Sequence, residues 1–425
     1  INVTVSGSPV VSQLTVYIGG VIGYIGNCET ARIYDSVNCG NIFANTSNGD
    51  YSTARVAGII GCSACADTVV EYSYNAGNIS VYNSCHSYAY GIIGGEGNVF
   101  QCYNNGRIVT RTLKYGVAGT YGIANNSNVT DSYNNANLIS LSDDVIGISN
   151  GKVENCYNFG NMNADGSWVY PLANNTNAIH IKNSYHFVEN KVEWSVNKGV
   201  PLNFISLPNF KSIVHNIGWD FELVWKTDEY INGGMPVLRS VNTPLTLNIS
   251  NRNIAYGSTI QLQAYKNGSP ENNVEWSVID GDVEVDQNGL VTASGIGYAT
   301  VSAVDKDGYR TNFHTYVYQP AASVSMTDRT LNINTDETSN SSYFSIHGSD
   351  SDYIVEWSSD NEDVVKVDQF GYRHDHSKNI GRRGRHAKSN GCQHGNKTFL
   401  ACVFHCSPRL AKENNGNGKT QSHFQ

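Results

Sequence analysis

Charge is scarce in this chain. Only 15% of its 425 residues are Asp, Glu, Lys or Arg, poor material for amphipathic helices, which need a solvated polar face. Long apolar runs are missing too: nowhere do about 18 apolar residues follow one another, so no membrane-crossing helix is encoded. Several enzyme signatures are absent. There is no His-Glu-x-x-His pair, no phosphate-cradling Gly-x-x-x-x-Gly-Lys loop and no Gly-x-Gly-x-x-Gly leading into a helix. One literal Gly-x-Ser-x-Gly occurs at Gly147–Gly151. A nucleophile elbow needs a strand before the serine and a helix after it, whereas here another repeat strand follows. What the chain holds in quantity is 41 Gly and 26 Tyr, which favour turns and strands. Its length exceeds what one core serves and implies roughly two to four domains.

One phrase then recurs five times: DSVNCGNI (Asp35–Ile42), YSYNAGNI (Tyr72–Ile79), QCYNNGRI (Gln101–Ile108), DSYNNANL (Asp131–Leu138) and NCYNFGNM (Asn155–Met162). A degraded copy, NSYHF, covers Asn183–Phe187. Glycine-flanked apolar pairs precede most copies: GGVIG ending at Gly23, AGIIG at Gly61, YGIIG at Gly94 and the weaker AGTYG at Gly122. Marked by Asn38, Asn75, Asn104, Asn134 and Asn158, the period is 37, 29, 30 and 24 residues. Such a period means one supersecondary unit per repeat, stacked on its neighbours. The segments are short, apolar or alternating, and punctuated by Asn and Gly, the pattern of short strands and tight turns. Residues 1–190 are therefore predicted to form a parallel β-solenoid (β-helix-like), one coil per repeat. The recurrent Asn is expected to form an amide ladder inside a turn, with the Gly two residues later at positive φ. Ile42, Ile79, Ile108 and Leu138 are expected to stack in the core.

Residues 191–241 break the period. They offer a short helix over Ser206–Asn216 and an aromatic cluster of Trp219, Phe221 and Trp225, expected to cap the sheet edge at the end of the solenoid. From Thr243 the strands LTLNIS, TIQLQAY, VEWSV, DVEVD, LVTAS, ATVSAV and FHTYVY predict an Ig-like sandwich over 243–320. Trp276 belongs in its core, and no cysteine pair staples its sheets. A second, truncated Ig-like copy covers 321–371: VEWSS around Trp357 matches VEWSV around Trp276, and VVKVDQFG matches VEVDQNG. The predicted class is all-β, a solenoid followed by β-sandwich domains.

The last stretch differs in kind. From Gly371 onward 10 Lys and Arg stand against 2 Asp and Glu, and before it 18 stand against 35. Such a break marks another type of polypeptide. Re-reading Tyr372–Gly381 one base later permits Thr-Val-Thr-Thr-Ile-Ala-Lys-Thr-Ser-Gly. The same offset across Arg383–Gly391 permits Gly-Val-Ala-Thr-Leu-Lys-Ala-Thr, matching GYATVSA at Gly297–Ala303. Residues 372–425 are thus expected to be a frameshifted, disordered tail. Its Cys392, His394, Cys402, His405 and Cys406 have the chemistry of zinc ligands, but their spacing fits no standard knuckle. The RRGR run at Arg382–Arg385 suits nucleic acid or heparin. Out-of-frame sequence accounts for both, so neither metal nor nucleic acid is expected.

Other constellations weigh toward structure. Cys62-x-x-Cys65 lacks a thioredoxin-like context or a second pair. Cys102 and Cys156 occupy a repeat position held elsewhere by Ser36, Ser73, Ser132 and Ser184, which suggests small buried ladder residues. Cys28, Cys39 and Cys85 come from adjacent coils, and whether any of them form disulfides stays open. Asp143 and Asp144 would suit calcium or a polysaccharide lyase, but solvated turn residues are the plainer assignment. DQNG at Asp286–Gly289 and DKDG at Asp305–Gly308 are turn formers before they are calcium loops. Tyr74, Tyr103, Tyr133 and Tyr157, with Tyr185, recur at one repeat position. They are candidate ligand contacts if they form an exposed ladder on which sugars stack, or an internal rib that keeps the coils in register. No catalytic, cofactor-binding or metal residue is assigned.

The apolar G-G-I-I-G followed by C/S-Y-N-x-G-N-I resembles the GLUG-motif repeats of bacterial surface proteins over residues 17–190. WDFELVW with NGGMPVLRS resembles the segment that closes such arrays. VEWSV, VEVDQNGLVTA and GYATVSA make 243–320 similar to a bacterial Ig-like group 2 domain, and 322–371 resembles the front half of another. The resemblance implies stalks and adhesive parts of secreted or wall-attached proteins, sometimes beside a peptidase domain, although no peptidase residues match here. The function expected is that of a non-enzymatic extracellular or cell-surface rod, a solenoid on Ig-like spacers. Its partners would be extracellular glycans or host or bacterial surface proteins, with no cofactor. A polysaccharide-degrading β-helix enzyme, lyase or hydrolase, is the alternative; it needs Asp, Lys or Arg clustered on one face, and the repeats are thin in Lys and Arg. A third is a purely structural stalk of a larger surface protein.

Overall fold

A computed structural model of the chain describes residues 2–4, 14–26, 28–46, 52–83, 85–112, 116–165, 168–174, 180–187, 189–193, 204–241, 244–319, 323–326, 344–347, 365–367 and 373–375. The described part up to 253, with 259–317, forms one compact unit; 254–258 and the described segments from 318 onward form a second. The fold is all-β, parallel coils followed by antiparallel sheets. Among the described residues no helix is long and apolar enough to cross a membrane.

One coil runs through His86–Tyr90, Ile93–Gly95, Gly97–Phe100, Tyr103–Asn104 and Ile108–Thr112. Its strands pair in parallel with their equivalents in adjacent coils, for example His86–Tyr90 with Ser52–Ala57 and Ala118–Tyr121. Register follows the sequence repeat. Ile42, Ile79, Ile108, Leu138 and Met162 are successive partners, and all five are buried. Stacked this way, each apolar side chain is covered by its own equivalent one coil away.

The amide ladder is present. Asn38 Nδ2 donates to Asn75 Oδ1 (2.7 Å), Asn75 to Asn104 (2.8 Å), Asn104 to Asn134 (2.8 Å) and Asn134 to Asn158 (2.8 Å). Each rung also closes its own turn: Asn104 Nδ2 donates to Gly106 O at 3.1 Å, and Gly106 N donates to Asn104 Oδ1 at 3.2 Å. A buried polar side chain is tolerated because every hydrogen-bonding group finds a partner.

The positive φ predicted two residues after each ladder Asn is not there. Gly40, Gly77, Gly106 and Gly160 are not left-handed. Gly77, Gly106 and Gly160 serve close approach instead: a Cβ on Gly106 would lie 2.0 Å from Gly77 O of the adjacent coil. The left-handed residue stands three positions before the ladder, at Asp35, Tyr72, Gln101, Asp131, Asn155 and Asn183, with φ between 46° and 54°. Asp and Asn accept that conformation more readily than other side chains. The glycine of the apolar pair completes the coil interior. A Cβ on Gly91 would fall 2.0 Å from Gly122 O and 2.7 Å from Asn104 Cβ, so the two halves of each repeat meet across the coil.

Beyond the coils, strand Phe204–Ile205 pairs in parallel with Tyr185–Phe187. The predicted helix follows at Leu207–Ile213, with Ser206 as its N-cap accepting from Asn209 N and Pro208 in its first turn. A 3-10 turn at Val214–Asn216 ends it.

The Ig-like strands Val274–Asp280, Gly297–Asp305 and Arg310–Tyr318 form one antiparallel sheet. Leu290–Ala293 pairs with Thr259–Gln261 and Val283–Val285. Trp276 is buried. The single strand predicted over TIQLQAY is two: Thr259–Gln261, and Ala264–Lys266 paired with Leu245–Leu247. Between them Leu262 N turns to Gly289 O and Gln263 N to Asn248 Oδ1, so the chain changes sheets there.

Within the first unit the Ig-like strands dock on the Tyr–Asn turns of the solenoid. Asn312 Nδ2 donates to Ala76 O (2.8 Å) and Asn105 O (2.7 Å). Asn105 Nδ2 donates to Thr311 Oγ1 (3.2 Å), and Arg107 pairs with Asp280 (2.7 Å). Trp357 and all of 372–425 except Arg373–Asp375 lie outside the described residues. Arg373–Asp375 pairs antiparallel with Val365–Val367.

Candidate ligand-binding face

The four tyrosines predicted as ligand contacts are interior. Tyr74, Tyr103, Tyr133 and Tyr157 stack with centroids 4.8, 4.9 and 4.8 Å apart and planes within 3–6°. None is more than 5% exposed. The ring faces of Tyr103 and Tyr133 are taken by their neighbours. Trp225 stands 6.1 Å from both Tyr133 and Tyr157, and Trp219 stacks on Trp225 at 4.5 Å. Tyr157 Oη donates to Pro236 O at 2.7 Å. Burial pushes the hydroxyls of Tyr74, Tyr133 and Tyr157 well above the usual phenol range. The expectation that these four touch a ligand is corrected: the row is buried, and Trp219 and Trp225 of residues 204–241 fold back over its Tyr133 and Tyr157 end.

A different row faces solvent. Tyr17 pairs with Arg55, Arg55 with Tyr88 and Tyr88 with Gly119. The register of Thr120, Val145 and Val169 continues it through Asp144 and Trp168. Each residue stands three positions before the core glycine of its repeat, or before Pro171 in the last. Because strand side chains alternate, the flanking Ala54 and Val56 point into the core and this row points out. Its six positions span about 24 Å at the usual strand spacing.

The chemistry of the row is aromatic and charged. Tyr17 is 37% exposed and stacks at 4.8 Å on Tyr24, itself 49% exposed. The Arg55 guanidinium lies 4.9 Å over the Tyr88 ring, and its Nη1 donates to Tyr90 Oη at 3.1 Å. His86 stacks on the same tyrosine at 6.4 Å. Burial pushes the Tyr88 hydroxyl up while Arg55 pulls it down, so it stays a neutral donor at neutral pH. Trp168, 45% exposed, donates its backbone N–H to Asp144 Oδ1 at 3.1 Å. Gly119 is the gap in the row: a Cβ there would lie 2.8 Å from Tyr121 Cε2 and 3.1 Å from Tyr88 Cδ1, so its absence lets both rings lean inward.

The remaining candidates are structural in their surroundings. Asp143 Oδ1 accepts from Asp144 N (3.0 Å), and Asp143 N donates to Ser140 Oγ (3.0 Å), closing a turn. Ser149 of the Gly-x-Ser-x-Gly is buried and donates to Ser127 O at 2.7 Å. Asp286 and Asp305 accept backbone N–H groups of their own turns. Cys102 and Cys156 are buried in the serine ladder, with Cys102 N receiving Ser132 Oγ as acceptor (3.1 Å); burial pushes the Cys102 thiol up to about 12. Among the described residues no group of three or more His, Cys, Asp or Glu comes together. Cys392, His394, Cys402, His405 and Cys406 lie outside them.

Repetition did not point to the outward row, because its residue changes from coil to coil. The available signal was the alternation in TVYIG, TARVA and HSYAY, counted back from the repeated glycine.

The family model of the bacterial Ig-like domain (group 2) matches residues 243–313. No curated protein matches the chain.

Proposed function

We propose that this chain is a non-enzymatic binding protein of the bacterial surface or extracellular space, holding an extended glycan along Tyr17, Arg55, Tyr88, Asp144 and Trp168. One observation carries the proposal: a single register row is aromatic or charged in five of six consecutive coils, with Gly119 as its gap. Aromatic faces stack on the apolar C–H faces of sugar rings, and Arg and Asp supply hydrogen bonds for hydroxyls. Coils that repeat along a rod suit a ligand that repeats along a chain. The likeness of 17–190 to GLUG-motif repeats and the Ig-like match at 243–313 favour a surface protein. Asp143 and Asp144 are engaged by backbone donors, which favours binding over polysaccharide cleavage.

The test is binding of the full chain to immobilised polysaccharides. Tyr88→Ala and Trp168→Ala should each weaken binding roughly tenfold, the order of one lost stacking contact, with no sugar released. Binding that ignores both variants, or binding only to surface proteins, overturns the glycan assignment. Turnover abolished by Asp143→Asn or Asp144→Asn replaces it with an enzyme.

A further inference from the structure

In the coil from Leu14 to Thr46, strand Ile42–Thr46 pairs with Asn2–Thr4, and the other four strands are paired on one side among the described residues. Those four, Leu14–Gly19, Ile22–Ile25, Ala31–Tyr34 and Val37–Asn38, each end their sheet among the described residues. Val21, Tyr24, Tyr34 and Val37 are exposed there. Edge elements of a stacked array are the first to open, because they have a neighbour on one side only.

At this end two cysteines lie in facing turns. Ile25 is the register partner of Ser63 and Ala31 of Thr68, so Cys28 and Cys65 stand in the turns between these pairs on adjacent coils. Backbone bonds bracket them: Ala64 N donates to Ile25 O (3.0 Å) and Ala31 N to Asp67 O (3.2 Å). Cys65 Sγ donates to Cys28 O at 3.1 Å. A Cys65 sulfur in contact with the Cys28 backbone lies within reach of the Cys28 side chain. Ser63 Oγ accepts from Cys65 N at 3.1 Å and fixes the turn. Cys62, on the alternate side of its strand, is half-buried toward Arg55 and does not join the pair.

We propose that Cys28 and Cys65 form a disulfide that staples the first coil to the second, made by exchange with a low-molecular-weight disulfide. Cys28 is exposed and Cys65 buried, which sets the order of events. The Cys28 thiolate attacks one sulfur of the oxidant, forming a mixed disulfide and expelling one thiolate. The Cys65 thiolate then attacks the Cys28 sulfur and expels the second. Two cysteine protons are released, the cysteines are oxidised by two electrons, and the oxidant leaves as two thiols.

The full chain is equilibrated with oxidised glutathione, quenched with iodoacetamide in denaturant, digested and mapped by mass spectrometry. A Cys28–Cys65 linked peptide, about two hydrogens lighter than the reduced pair, is expected, with Cys62 alkylated. The oxidised form should lose its first coil to protease at least about tenfold more slowly and unfold several degrees higher. Cys62→Ser should keep the link and Cys28→Ser abolish it. Cys28 recovered alkylated, as a glutathione adduct, or joined to any other cysteine overturns the proposal. That mapping on the unmodified chain decides the matter even if a variant fails to fold.

Discussion

Tyr74, Tyr103, Tyr133 and Tyr157 run along the coils as one row; Tyr17, Arg55, Tyr88, Gly119, Asp144 and Trp168 run along them as another. Both keep strict register. The first is nearly invariant and sealed; the second changes at every coil and reaches water at all but Gly119. In a stack each residue of an inner row is the environment of its neighbour, so one residue that packs well on itself is retained. A residue facing solvent has no such constraint from the coil above. Sameness along the repeat therefore marks the interior here, and difference at fixed register marks the surface open to ligand.

The contrast breaks most visibly at the inner row. Tyr133→Ala should cost about 3–5 kcal/mol, as large aromatic truncations in cores do, and chemical denaturation reads it directly. A loss below about 1 kcal/mol would place the row outside the core. Trp276→Ala in the Ig-like strands belongs to the same class.

Acid should find the interior next. His186 and His314 are fully buried, and burial lowers each imidazole to about 4 from 6.5. Above pH 6.5 both folded and unfolded chains carry them neutral, and stability is complete. Below it the unfolded chain takes up protons first, so stability falls until roughly pH 4, where the folded imidazoles charge too. The loss should approach about 3 kcal/mol per histidine. Stability unchanged between pH 7 and 4 in His314→Asn and wild type alike would refute it.

Smaller effects sharpen the same contrast. Asn104→Ala leaves Asn75 and Asn134 each short of a partner and should cost about 1–3 kcal/mol, measured as a lower denaturation midpoint. Tyr88→Ala, on the outer row but packed in part against the core, should cost about 1 kcal/mol, well below Tyr133→Ala, while still lowering ligand binding. Gln101→Asn puts a better left-handed residue at a coil corner and should gain about 0.5–1 kcal/mol.

Much of the fold was legible because it depends on coincidence between repeats. The amide ladder, the Ile42–Ile79–Ile108–Leu138 stack, the helix capped by Ser206 and the buried Trp276 all follow from residue type and spacing. Which side of the tyrosine row was wet did not follow. Its strands, such as Tyr74–Asn75, are two residues long and offer no alternation from which a face is assigned. What covers them, Trp219 and Trp225, comes from a segment with no repeat at all. The left-handed corner was hidden because Tyr72 and Gln101 occupy it beside Asp and Asn, so residue type carried a mixed signal. The outward row was missed for the converse reason: a search for sameness passes over positions that differ.

The asparagine ladder has a direction. Every Nδ2 points toward the later coil and every Oδ1 toward the earlier one, so the amide dipoles add head to tail and polarise one another. The column is an electrical object, negative toward Asn38 and positive toward Asn158. It stops where His186 replaces the next amide, with Nδ1 3.2 Å from Asn158 Nδ2. The same nitrogen lies 3.0 Å from Asn158 O, and Asn158 Nδ2 donates to Pro171 O at 3.1 Å, so the last amide of the column is satisfied and the series ends. A doubly protonated ring would set a positive charge against the positive end of the column, so the ladder adds to the burial that keeps its terminal imidazole neutral.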